Sequence, residues 1–181
     1  THSAGNFTVH NYCNFYGNNI GYAHNPSSKV NPSTGISFNA CYFENHKIAI
    51  KASYCRILNI HQCYFEHIFE CIIDITTTES FTHIISLQGA RMDVDFSNLT
   101  SNRAAIRQSI DPNSTLSLSL KDNIITNYGE TIPDDFVYVK SGNIIIQAEN
   151  NKMVNPSWNF PICSEAPLET SYFNNDFSDT D

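Results

Sequence analysis

Two glutamates, Glu44 and Glu66, stand in matching settings, each closing a Cys-Tyr-Phe-Glu run at residues 41–44 and 63–66. A tyrosine lies two positions before each, Tyr42 and Tyr64. Rings beside carboxylates suit sugars. A ring stacks on the apolar face of a pyranose, and a carboxylate accepts hydroxyl hydrogen bonds. Two carboxylates on neighbouring strands could also work as acid and base. Retaining glycosidases hold such a pair ~5–5.5 Å apart and inverting ones ~6.5–9.5 Å. Mutual repulsion raises one pKa, as a general acid requires. Glu70 and Asp74 belong to the same pool of catalytic candidates.

A second chemistry needs other residues. Elimination from a uronic acid takes a base for the proton α to the carboxylate and a cation to neutralise that carboxylate. Lys47, Lys51, Tyr54, Arg56 and His61 cluster in sequence and could supply both. Arg56 and His61 also join Tyr42 and Tyr64 as candidate substrate-binding residues. The competing reading of all these positions is solvated surface. His46 and His67 follow the two glutamates closely, but their spacing is not HExxH. They are expected at the surface, with no metal site and no cofactor.

The six cysteines, Cys13, Cys41, Cys55, Cys63, Cys71 and Cys163, contain no CxxC pair. Zinc-ribbon spacing is therefore missing. Cys41 and Cys63 fall on equivalent positions between apolar neighbours. The expectation is a buried ladder of reduced thiols, made in a reducing cytoplasm such as that of an infected cell.

The elements that must position these residues repeat. Residues 36–75 shifted by 22 positions lie on themselves: Ile36 on Leu58, Phe38 on Ile60, Cys41 on Cys63, Phe43 on Phe65. Such self-similarity signals stacked units. Strand-forming residues broken by Asn, Ser and Thr make each unit one coil of a parallel β-solenoid. Alternation points Phe38, Phe43, Ile48, Ile50, Ile60, Cys63, Phe65, Ile73 and Ile75 inward. It points Tyr42, Glu44, Lys47, Lys51, Tyr64, Glu66 and Asp74 outward.

Phe7 and Val9 begin an earlier coil, in which Val9-His10-Asn11 echoes Ile60-His61-Gln62. Residues 25–35 read as a loop and 76–80 as a polar turn. Met92, Val94 and Phe96 alternate with Asp93, Asp95 and Ser97. The step from Val94 to Leu116 equals that from Ile36 to Leu58, and Val137 falls one position short of a further such step. About seven or eight coils result. Residues 102–110 could form at most two helical turns. The fold class is thus all-β, with coils over 1–149 and an irregular cap or inter-chain tail over 150–181, where Pro156, Trp158, Pro161 and Pro167 break the pattern.

A chain of 181 residues suits one domain with a sizeable core. Charged residues are 15%, low against a usual ~25%, which leaves room for strand and turn formers. A net charge of −8 argues against double-stranded nucleic acid as a partner. No apolar run approaches the ~20 residues of a membrane helix, so membrane insertion is not expected. Thr1 in place of a start methionine, with no signal-like opening, predicts a processed chain or an excised piece.

Over roughly 36–148 the Cys-Tyr-Phe-Glu coils, the Asn and Ser turns and the Ile/Val/Phe triplets resemble the right-handed parallel β-helices of bacteriophage tailspikes and capsule-degrading tail fibres, of pectin-lyase-like fold. The resemblance implies a homotrimer in the virion tail that binds bacterial surface polysaccharide, capsular or O-antigen, and cleaves it by hydrolysis or elimination. Catalytic positions vary within that family, so it assigns none here. A non-catalytic trimeric shaft is the alternative. A cellular pectate-lyase-like enzyme is disfavoured by the free thiols and the missing signal.

Overall fold

The computed structural model describes residues 7–24, 35–53, 55–76, 82–95, 104–128, 135–154, 162–164 and 168–176. Among them are seventeen strands and no helix. The chain runs in successive passes. The first holds β1 (Phe7–Asn11), β2 (Asn14–Tyr16) and β3 (Ile20–His24). The second holds β4 (Gly35–Asn39) and the long β5 (Tyr42–Ser53). The third holds β6 (Ile57–His61) and the long β7 (Tyr64–Thr76). Then come β8 (Thr82–Gln88), β9 (Arg91–Val94) and β10 (Ala104–Ser109). The fifth pass is β11 (Thr115–Lys121), β12 (Ile124–Asn127) and β13 (Asp135–Val139). The sixth is β14 (Asn143–Glu149), β15 (Lys152–Val154) and β16 (Ile162–Ser164), and β17 (Leu168–Phe173) opens a seventh.

Each strand pairs in parallel with its counterpart in the neighbouring pass. One sheet has the order β1-β4-β6-β8-β11-β14-β17. The other contains β15-β12-β9-β7-β10-β13-β16, with β5 pairing β2, β3 and β7. β5 and β7 bend where Asn45 and His67 take positive φ and the register shifts. That bend divides the second sheet into a near limb (β2, β9, β12, β15 and the first halves of β5 and β7) and a far limb. Parallel strands connected by short links and sharing one interior are consistent with a β-helix.

The interior is built from matching columns. Ile36, Leu58, Ile85, Leu118 and Ile146 stack in one. Phe15, Phe43 and Phe65 stack in another, with centroids 4.5 and 5.0 Å apart, followed in register by Met92, Ile125 and Met153. Cys41, Cys55, Cys63 and Cys71 are buried and unpaired, as read from the sequence. Burial pushes the Cys63 thiol up to about 12, so it is inert at neutral pH.

Two residues turn the chain from the first sheet to the near limb. The first of each pair has positive φ: Tyr12, Ala40, Gln62, Gly89, Asp122, Asn150 and Asn174. The second points inward, and in the last three passes it is asparagine. Asn123 Nδ2 donates to Asn151 Oδ1 at 2.8 Å, and Asn151 Nδ2 to Asn175 Oδ1 at 2.8 Å. Asn151 also donates to the Leu120 carbonyl and accepts from the Asn123 N–H. Asn151→Ala strands several buried groups at ~1–3 kcal/mol each before relaxation. We expect a loss of about 2–3 kcal/mol in urea titration. Asn150 makes the matching exposed bonds, donating to Asp122 Oδ1 at 3.1 Å and accepting from Asn174 Nδ2 at 2.8 Å. Asn150→Gly, which keeps its positive φ, should cost under about 1 kcal/mol. Equal losses would refute the ladder's role.

Several sequence expectations change. Phe7 and Val9 do begin a strand, but they face outward at 50% exposure each. His10 points inward and stacks on Phe38 at 5.0 Å. It is therefore His10, not Val9, that lies in the Phe38–Ile60 column, and the echo is one position out of step. Leu116 pairs with His83, whereas Val94 pairs with Ile68 and Asn127, so the equal step between Val94 and Leu116 is coincidental. The interval from Ile36 to its counterpart Leu58 is not kept along the chain; that from Ile85 to its counterpart Leu118 is half as long again. Within 102–110, residues 104–109 form strand β10, not helical turns, because Ile106 completes the Ile50–Ile73 column. His46 is 0% exposed, not a surface residue. Its Nε2 donates to the Phe15 carbonyl at 3.0 Å while Nδ1 accepts the Asn18 N–H at 3.3 Å. Gly21 lies against that ring, where a Cβ would come within 2.8 Å. Parallel pairing continues past residue 149 through β15, β16 and β17. Residues 25–34, 77–81, Phe96 and Tyr54 lie outside the described residues.

Candidate functional site

The outward side of the near limb brings the two Cys-Tyr-Phe-Glu runs together. Register places Tyr42 beside Tyr64 and then Arg91, and Tyr16 beside Glu44, Glu66 and Asp93. The Tyr42 and Tyr64 rings stack at 5.2 Å with 25° between planes. Tyr16 meets Tyr42 edge-on at 5.6 Å, and the Arg91 guanidinium lies over Tyr64 at 5.7 Å. The result is an aromatic ridge capped by a cation, with a carboxylate column alongside.

Each phenol leans one pass onward. Tyr42 Oη donates to Glu66. Tyr64 Oη donates to Asp93 Oδ2 at 2.7 Å, and Arg91 Nε binds the same oxygen at 2.9 Å. Asn45 Nδ2 donates to Glu44 Oε1 at 3.1 Å. Burial, and then the carboxylate each one binds, raise both phenol pKa values, that of Tyr64 to about 12. Both remain donors at any physiological pH, so the rings are held in place by charge-assisted bonds.

Glu70 and Asp74 sit on the far limb instead. Arg107 Nη1 donates to Glu70 at 2.7 Å and Nη2 to Asp74 at 2.9 Å, and Lys47 Nζ reaches Glu70 at 3.0 Å. Ile72, between the two carboxylates on the same side of β7, is fully buried. Burial alone would push the Glu70 carboxyl up, but the bonds from Arg107 and Lys47 outweigh it and hold the group below the usual range. The elimination set is dispersed. Lys47 and Lys51 lie on β5 beside the far limb's carboxylates, His61 on the first sheet in register with Asn39 and Gln88, and Arg56 just before β6. Among the described residues no group of three His, Cys, Asp or Glu is placed to hold a metal.

Arg91 and Asp93 were not singled out as site residues by sequence. Their signal is the Arg-Met-Asp-Val alternation, which repeats the Tyr-Phe-Glu order, but the interval from Tyr64 to Arg91 is longer than that from Tyr42 to Tyr64. A concavity of about 190 Å³ lies elsewhere, on the first sheet, between Ser119, Gln147, Ser171 and Phe173. Compared with known proteins, the chain matches no family model, no curated protein and no solved structure.

Proposed function

We propose that this chain is a right-handed parallel β-helix of the tailspike kind, whose near-limb ridge binds bacterial surface polysaccharide and cleaves it by hydrolysis. Right-handedness is supported by the strong preference of parallel crossovers for that hand. The observation that carries the reading is the Tyr42–Tyr64 stack flanked by Glu44 and Glu66. Adjacent strands start the two glutamate side chains about 4.8 Å apart at the backbone, which allows the ~5–5.5 Å carboxyl separation of a retaining pair. Hydrolysis is favoured over elimination because the lysines, arginine and histidine that elimination needs are spread over separate surfaces. A homotrimer in the virion tail belongs to the same proposal.

The test uses polysaccharides purified from candidate host strains. Tyr64→Ala should weaken binding at least about 10-fold, as loss of a central aromatic anchor does. Tyr12→Ala, on an exposed corner, should leave it unchanged. Glu66→Gln should abolish reducing-end release while retaining binding. Binding without any released product, by intact protein, would favour the non-catalytic shaft. That second reading draws on the fact that Glu66 and Glu44 already have protein donors.

A further inference from the structure

We propose, resting on the polysaccharide reading of the ridge, that its ligand is a neutral or amino-bearing glycan and not a polyuronate or other anionic chain. Three carboxylates, Glu44, Glu66 and Asp93, occupy adjacent positions in one column. The cation beside them, Arg91, is bound to Asp93 at 2.9 Å. Lys47 is paired with Glu70, and Arg107 with Glu70 and Asp74, on the other limb. The Tyr42 and Tyr64 hydroxyls already donate to Glu66 and Asp93. A ligand carboxylate would therefore meet three like charges against a single cation already paired with Asp93, while the two phenol protons are committed to Glu66 and Asp93.

Asp93 supplies an independent observation. It is 5% exposed although it sits on the outward side of β9. Its Oδ1 is buried with no hydrogen-bond partner among the described residues. A carboxylate oxygen lacking a donor leaves the negative charge of Asp93 less compensated, which opposes a ligand anion beside it and favours a hydroxyl or ammonium there. The chain's net charge of −8 acts in the same direction at longer range.

The experiment is binding of the intact protein to an array of bacterial capsular and O-antigen polymers sorted by charge. Dextran, chitosan oligomers and polygalacturonate serve as defined probes, each at low and high NaCl. Neutral or amino polymers should lead the ranking by at least about 10-fold over uronate or phosphate polymers. Affinity for neutral polymers should change less than about twofold with salt. Preference for anionic polymers, lost in Tyr64→Ala, would overturn the charge inference and leave the ridge reading standing. Binding to no polymer on the array would overturn both.

Discussion

Replacing Arg107 with methionine is expected to destabilise the protein by about 3–5 kcal/mol, the cost of removing one partner from a buried ion pair. At roughly 2–4 °C per kcal/mol for a chain of this size, the melting temperature should fall by about 10 °C. Glu70 and Asp74 are 7% and 8% exposed, and Arg107 bridges them across Ile72. Without it two buried carboxylates face each other, with the half-exposed Lys47 as Glu70's remaining partner.

The pH dependence gives a sign that packing loss would not. In the native protein the Glu70 pKa is lowered. Its contribution is present above the unfolded-state pKa, about 4.3, and is lost as pH falls through the lower folded value. In Arg107→Met the same carboxylates are destabilised when charged, so mild acid should narrow the gap to wild type. Thermal melts of both proteins from pH 7 to about pH 4 check this. A gap that is constant across that range would show that Arg107 acts through its aliphatic stem.

Phe43→Ala carries the second large effect, about 3–5 kcal/mol for a fully buried aromatic residue. Phe43 is enclosed by Phe15 on one side and Phe65 on the other, and the Phe38 ring meets it at 5.4 Å. Its removal opens a void across three passes that stiff neighbouring strands cannot close. Phe43→Leu, which keeps most of the volume, should lose less than half as much. Denaturant unfolding of the two variants measures the difference. A loss below about 1 kcal/mol for the alanine variant would mean that the stacked core does not hold the passes together.

The repeat was legible from Ile36 to His46 because its two copies keep one spacing there, so equal spacing in sequence is equal spacing in space; past the bend the register slips by one residue, and Ile50 pairs with Ile73. Beyond Thr76 the links between passes differ in length. The interval from Leu58 to Ile85 is therefore longer than that from Ile36 to Leu58, and the interval from Ile85 to Leu118 is longer again. Periodicity then survives in the sheet but not along the chain, and Val94 and Leu116 match by accident. Residues 104–109 were obscured by alanine's helical preference, which tertiary pairing overrides.

The ridge itself was half legible. Tyr42, Tyr64, Glu44 and Glu66 could be read from the matched runs, whereas Arg91 and Asp93 were hidden by the changed interval. Separating Glu70 and Asp74 from that site required Arg107, which lies far from both along the chain and binds them from the next pass. His46 looked like its neighbours on the outward side until the bend at Asn45 turned it onto Phe15 and Asn18.

The most direct measurement is a crystal structure of the protein with an oligosaccharide from a polymer it binds. The account predicts sugar rings lying against Tyr42 and Tyr64, with hydroxyl or amino groups on Glu44, Glu66 or Asp93. Sugar seated in the first-sheet groove beside Phe173, with the near-limb ridge bare, would contradict it.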